Sequence, residues 1–149
     1  MPKYIHYGSS KFDPKQFKQV KNCEHPFVKP YSGGLWGSPI DSEYSWKDWC
    51  EGECYELDRL KTSFTFDLSP KAKILEIKGM EDIKAAVKSG LIKKTSLFTD
   101  TFAPDFEKIA KKYDAILFYE NGETHYTLYG WDCDTVFVLN HKVITGVNK

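Results

Sequence analysis

The sequence lacks an excess of charge of either sign: 21 basic residues stand against 21 acidic ones. A balanced chain has no broad electrostatic footprint for nucleic acid or an anionic membrane surface, so neither is expected as a partner. Long hydrophobic runs are missing as well. No stretch approaches the ~18 apolar residues that a membrane span needs. The opening decapeptide, MPKYIHYGSS, has no apolar core of a signal peptide. A cytoplasmic protein is therefore expected, with Cys23, Cys50, Cys54 and Cys133 as reduced thiols. Zinc spacing is also lacking. One residue separates Cys23 from His25, and Cys50 and Cys54 lie four apart on an expected helix, so no metal site is expected. G-x-G-x-x-G, G-x-x-x-x-G-K and H-E-x-x-H are all absent. No repeat, low-complexity tract or linker divides the chain, and residues 1–149 read as one domain, long enough to bury a core.

Aromatic residues are abundant: nine Tyr, ten Phe and four Trp. They suit a core, and they also suit surfaces that stack on a planar ligand. KYIHYGS reads as a first strand ending at Gly8, and FVKPYSGGLWGSP as turns around a very short strand. SWKDWCEGECYEL reads as a helix capped by Ser45 and Asp48, with Trp46, Trp49, Cys50 and Leu57 on one face. TSFTFDL alternates Phe64, Phe66 and Leu68 against Ser63, Thr65 and Asp67, as a strand does. AKILEIK reads as a further strand after Ser69-Pro70. MEDIKAAVKSG reads as a helix stopped by Gly90, and APDFEKIAKKY as another with Pro104 in its first turn. AILFY and TVFVL read as buried strands with an Asn121-Gly122 turn between them. Strands and helices do not alternate regularly, so the expected class is α+β.

Three places combine strand ends with polar or aromatic groups. His6 sits in the first strand, where a structural hydrogen bond competes with a ligand-binding role. In GGLWGSP and YSWKDW, the glycines admit close approach, and Trp36, Tyr44 and Trp46 could sandwich a flat ring; packed tryptophans over a turn are the plainer reading. Asp132 and Asp134 stand at the entrance of the buried run Thr135–Leu139, as turn solvation or as catalytic carboxylates on a rigid edge.

In this order, His6, the GLWGS segment and the acids leading into DTVFVLNHKVI resemble the ADP-ribosyltransferase fold. They are most similar to its His–Tyr–Glu group of diphtheria-toxin-like and poly-ADP-ribose-polymerase-like enzymes. KYDAILFYE resembles that family's penultimate strand. The resemblance implies a split β-sheet core with flanking helices over 1–149, NAD+ as substrate and no metal. It implies that His6 bonds the adenosine ribose and that the backbone of Tyr7 holds the nicotinamide carboxamide. Trp36, at the family's tyrosine, would stack on nicotinamide, with Tyr44 or Trp46 on the opposing face and Ser38 as the small hydroxyl nearby. Asp134 falls at the catalytic glutamate, with Asp132 two residues before it. Asp for Glu shortens the carboxylate by one methylene, roughly 1.5 Å, where about 1 Å of misplacement costs about a hundredfold in rate.

The implied activity is mono-ADP-ribosyl transfer to a macromolecular target, a protein, by a compact effector of the kind carried by phage. Breaking the bond between nicotinamide and ribose develops an oxocarbenium-like cation, which an aimed carboxylate stabilises. Two other readings stand beside it. One is a binding module of the same fold that holds an NAD-type or ADP-ribose-type nucleotide, or a partner protein, without turnover. The other is a plain α+β interaction domain whose His6 and Trp36 are core residues.

Overall fold

Short β-branched and aromatic runs pair here into a curled seven-stranded sheet and a two-stranded ribbon, in a computed structural model that describes residues 3–24, 27–95, 101–121, 128 and 131–148. The strands are β1 (Tyr4–Tyr7), β2 (Leu35–Pro39), β3 (Ser63–Leu68), β4 (Ile74–Ile77), β5 (Ile92–Lys94), β6 (Phe102–Pro104), β7 (Ala115–Phe118), β8 (Thr135–Val138) and β9 (Ile144–Thr145). Among the described residues three α-helices accompany them: α1 (Trp46–Glu53), α2 (Met80–Lys88) and α3 (Phe106–Ala110). The large sheet runs in the order β4-β7-β8-β2-β1-β3-β9. Its one parallel pair is β4 with β7; every other pair is antiparallel. Mixed pairing with helices between strands makes the architecture α+β, as the irregular alternation of elements predicts.

The pleat sends successive side chains to opposite faces, and each face has its own core. Phe137 and Ile116 join Ile83, Phe106 and Ile109 from α2 and α3 on one side. Val136, Val138, Leu117, Tyr4, Phe64 and Phe66 fill the other. All four residues of β7 and all four of β8 are buried, which is why AILF and TVFV lack polar alternation. Phe64 and Phe66 point inward from β3, and Leu68 packs at the margin of the same core.

Two helices are shorter than their sequences suggest. The segment after Ser45 does start with the expected capping box, but it ends at Glu53, where Gly52 weakens the last turn and Cys54 turns left-handed (φ 52°). Leu57 therefore falls in a separate 3-10 turn, Leu57–Lys61, and is 47 % exposed rather than sharing the helical face. Pro104 lies not in the first turn of α3 but at the end of β6, opposite Ile92. Asp105 starts the helix, its carboxylate accepting the Lys108 N–H at 3.1 Å. The β5–β6 ribbon carries no sequence signal, because IKK and FAP are too short to show a period. The Asn121-Gly122 turn lies partly outside the described residues; Asn121 itself donates its side-chain amide to the Lys78 carbonyl at 2.6 Å.

β2 is reached through Gly33 (φ 88°) and Gly34 (φ 77°). A Cβ on Gly34 would run into the Phe137 ring, and one on Gly33 into the Gln19 backbone. The close approach that these glycines allow is thus to the chain itself. Gly34→Ala combines left-handed strain with overpacking against a core ring, and should lower stability by about 2–4 kcal/mol. Urea denaturation with tryptophan fluorescence reads this directly, and a midpoint equal to wild type would show that Phe137 can move aside.

Candidate functional site

Strand β2 lies between β1, which carries His6, and β8, which Asp134 immediately precedes. His6 is on β1. Its Nδ1–H donates to the Trp36 carbonyl oxygen at 2.6 Å, since a carbonyl can only accept. That bond fixes the tautomer and leaves Nε2 of the neutral ring as an acceptor. The imidazole also packs on Phe64, with ring centroids 5.0 Å apart. Burial, aided by the Arg59 charge, lowers its pKa below the ordinary histidine value, and the bond to Trp36 only partly opposes this.

Alternation places the Trp36 and Ser38 side chains on the face opposite His6. Trp36 pairs with Phe137 in register, and its ring lies 4.1 Å from Phe137 and 5.1 Å, edge-on, from Trp131, so much of it is core. Tyr7 shares that face by the same alternation. Ser38 is buried, and its hydroxyl oxygen accepts the Trp46 N–H at 3.0 Å, which seats the start of α1 over β2. Trp46 stacks on Trp49 at 5.1 Å and 15°, with Tyr55 edge-on to both. Tyr44 is half-buried, and its carbonyl accepts the Asp134 N–H at 2.9 Å.

The loop from Ile40 to Ser45 is therefore tied to the sheet at both ends, Ile40 to Lys3 and the following Trp46 to Ser38, while Tyr44 holds Asp134 at one corner of the fold. His6 makes its side-chain bond elsewhere, to the Trp36 carbonyl. Asp134 is the one Asp, Glu, Lys, Arg or His that is buried among the described residues, at 6 % exposure. Its Oδ1 accepts the Glu120 N–H at 2.9 Å. Burial raises its pKa above the ordinary aspartate value, and the negative charges of Glu120 and Glu43 add to this. Asp132 is half-buried two residues earlier. Between them, burial pushes the Cys133 thiol up to about 12, so it stays protonated and is no nucleophile at neutral pH.

Glu120 and Glu43 are members of this corner that no sequence signal selects. Glu120 closes the run AILFYE, and only the β7–β8 pairing brings it beside Asp134. Cys50 is fully buried while Cys54 is exposed, and His25 lies outside the described residues. A cavity of about 160 Å³ lies elsewhere, between Asn22, Phe27 and the β5–β6 ribbon, and none of the eight sequence-selected residues lines it.

Two stability tests follow from these titrations. The folded pKa of His6 is depressed, so the unfolded chain binds its proton more readily. Stability should fall as pH drops below about 6.5, and level off below the folded pKa. His6→Asn keeps a donor for Trp36 but does not titrate, so thermal melts from pH 7.5 to 5 should show a shallower fall; equal slopes would assign the effect elsewhere. Asp134 has the opposite sign. Its raised folded pKa means that ionisation costs stability as pH rises through that value. Asp134→Asn should therefore melt at or above wild type at pH 7, with the gap closing below about pH 4.

Set against family models, curated proteins and solved structures, the chain finds no match.

Proposed function

We propose that the chain is a mono-ADP-ribosyltransferase of the ADP-ribosyltransferase fold, cleaving NAD+ and transferring ADP-ribose to a protein target. The observation that carries this reading is the buried Asp134 carboxylate, fixed at the start of a core strand among other acids. A charge held out of water by a rigid backbone acts strongly on a cation that develops beside it. Nicotinamide leaves as a neutral molecule, so the reaction needs no general acid. The chain has to fix the conformation, exclude water and present negative charge. Asp134 would face the oxocarbenium-like ribose, with Asp132 orienting the nucleophile. Nε2 of His6, unprotonated at neutral pH, would accept a hydroxyl of the adenosine ribose, and the backbone of Tyr7 would hold the carboxamide. Trp36, on the sheet face opposite His6, offers nicotinamide only the part of its ring that the core leaves open, with Tyr44 or Trp46 opposite and Ser38 holding Trp46 in place, so the dinucleotide would have to span both faces.

One observation favours a second reading, a nucleotide-binding module without turnover: Asp134 is short, and one of its oxygens already serves the Glu120 N–H. Transfer of labelled ADP-ribose from NAD+ to a lysate separates the two. Asp134→Asn should lower the rate about a hundred- to a thousandfold and leave NAD+ binding in place. Equal activity in wild type and Asp134→Asn would remove Asp134 from the chemistry. Binding of NAD+ without activity in either would select the module.

A further inference from the structure

The 21 basic residues of the chain are twenty lysines and a single arginine, Arg59. It stands in the 3-10 turn Leu57–Lys61, which follows α1 and contacts β1. Its guanidinium lies against Gly8, the residue that ends β1 two positions after His6. A Cβ at Gly8 would stand 3.1 Å from both Nε and Nη2 of Arg59, and the φ of 108° there suits glycine alone. The backbone that presents Arg59 is unusual too. Cys54 (φ 52°) and Glu56 (φ 46°) are two of the three described non-glycine residues with positive φ. The Glu56 carboxylate accepts from Nη1 at 3.1 Å, orienting the fork. This ion pair is 59 % and 39 % exposed, so it contributes little to folding.

A guanidinium differs from an ammonium in presenting planar paired donors, which match the oxygens of a phosphate. The charge of Arg59 is felt at His6, whose imidazole it disfavours as a cation. Its contact with Gly8 places it at the end of the strand that carries the residue assigned to the adenosine ribose, where β1 gives way to Gly8-Ser9-Ser10.

We infer that Arg59, seated on Gly8 and steered by Glu56, is a diphosphate-binding residue that takes the phosphates of a dinucleotide whose ribose is held at His6. The inference rests on the NAD+ reading for its ligand. It adds a cation that the resemblance does not supply.

Titration calorimetry with NAD+, ADP and adenosine, on wild type, Arg59→Lys and Arg59→Gln, tests it. Arg59→Gln should bind NAD+ and ADP about tenfold more weakly or worse, as expected for loss of a charge-assisted hydrogen bond, with adenosine unchanged. Arg59→Lys should fall between, keeping the charge but losing the fork. Added salt should weaken ADP binding more steeply in wild type than in Arg59→Gln. Unchanged NAD+ and ADP affinities in Arg59→Gln would overturn the assignment while leaving the NAD+ reading intact. Adenosine weakened in parallel would overturn it as well, showing a merely structural role. ADP binding that depends on Arg59, without NAD+ binding, would uphold the diphosphate site and overturn the NAD+ reading. Wild type binding neither nucleotide would overturn both.

Discussion

The double pairing of β2 is the constraint on which the rest of the structure depends. Its five residues, Leu35–Pro39, form ladders with β1 on one side and β8 on the other. They are the seam between β1, β3 and β9 on one side and β8, β7 and β4 on the other. The seam closes only because Gly34 leaves room for the Phe137 ring, and because Gly37 lets the Ile5 carbonyl and Val136 come near. Once β2 is in register, His6, Trp36 and Asp134 have no freedom of place. A shift of one residue would exchange every face.

What the sequence made legible was whatever period and turn chemistry encode. The alternation of Ser63–Leu68, the unbroken apolar runs of β7 and β8, and the Ser45 cap were readable because each is a local signal. The premature end of α1 was not, since a left-handed cysteine at 54 has no sequence signature. The position of Pro104 misled because proline fits a helix start and a strand edge equally well. In the site, Asp134 could be read as an acid on a rigid mount, but its partners could not. Glu120 and Tyr44 meet it only through pairing between distant segments. The opposite facing of His6 and Trp36 follows from register, which no short stretch reveals.

The corner around Asp134 works against folding. A carboxylate at 6 % exposure, with Glu120 and Glu43 nearby, is a poor choice for stability. The backbone N–H of Glu120 offsets part of that cost. Strained electrostatics of this kind concentrate where a protein acts on a ligand. The buried Cys133 beside it, by contrast, is a small residue of the core whose thiol lies 3.8 Å from the Thr135 hydroxyl.

The pairing of Leu35 with Val138 has a kinetic side as well. The two residues are about a hundred positions apart, so this contact closes a very long loop, and the entropy of closure is lost before the ladder is gained. Until then β1, β2 and β3 can associate among themselves, and β4, β7 and β8 likewise. Each fragment then carries an open strand edge, β2 in one and β8 in the other, lined with unpaired backbone donors and acceptors. An edge of that kind pairs as readily with another chain as with its own partner. Slow closure of this ladder would thus leave both edges open to aggregation for longer.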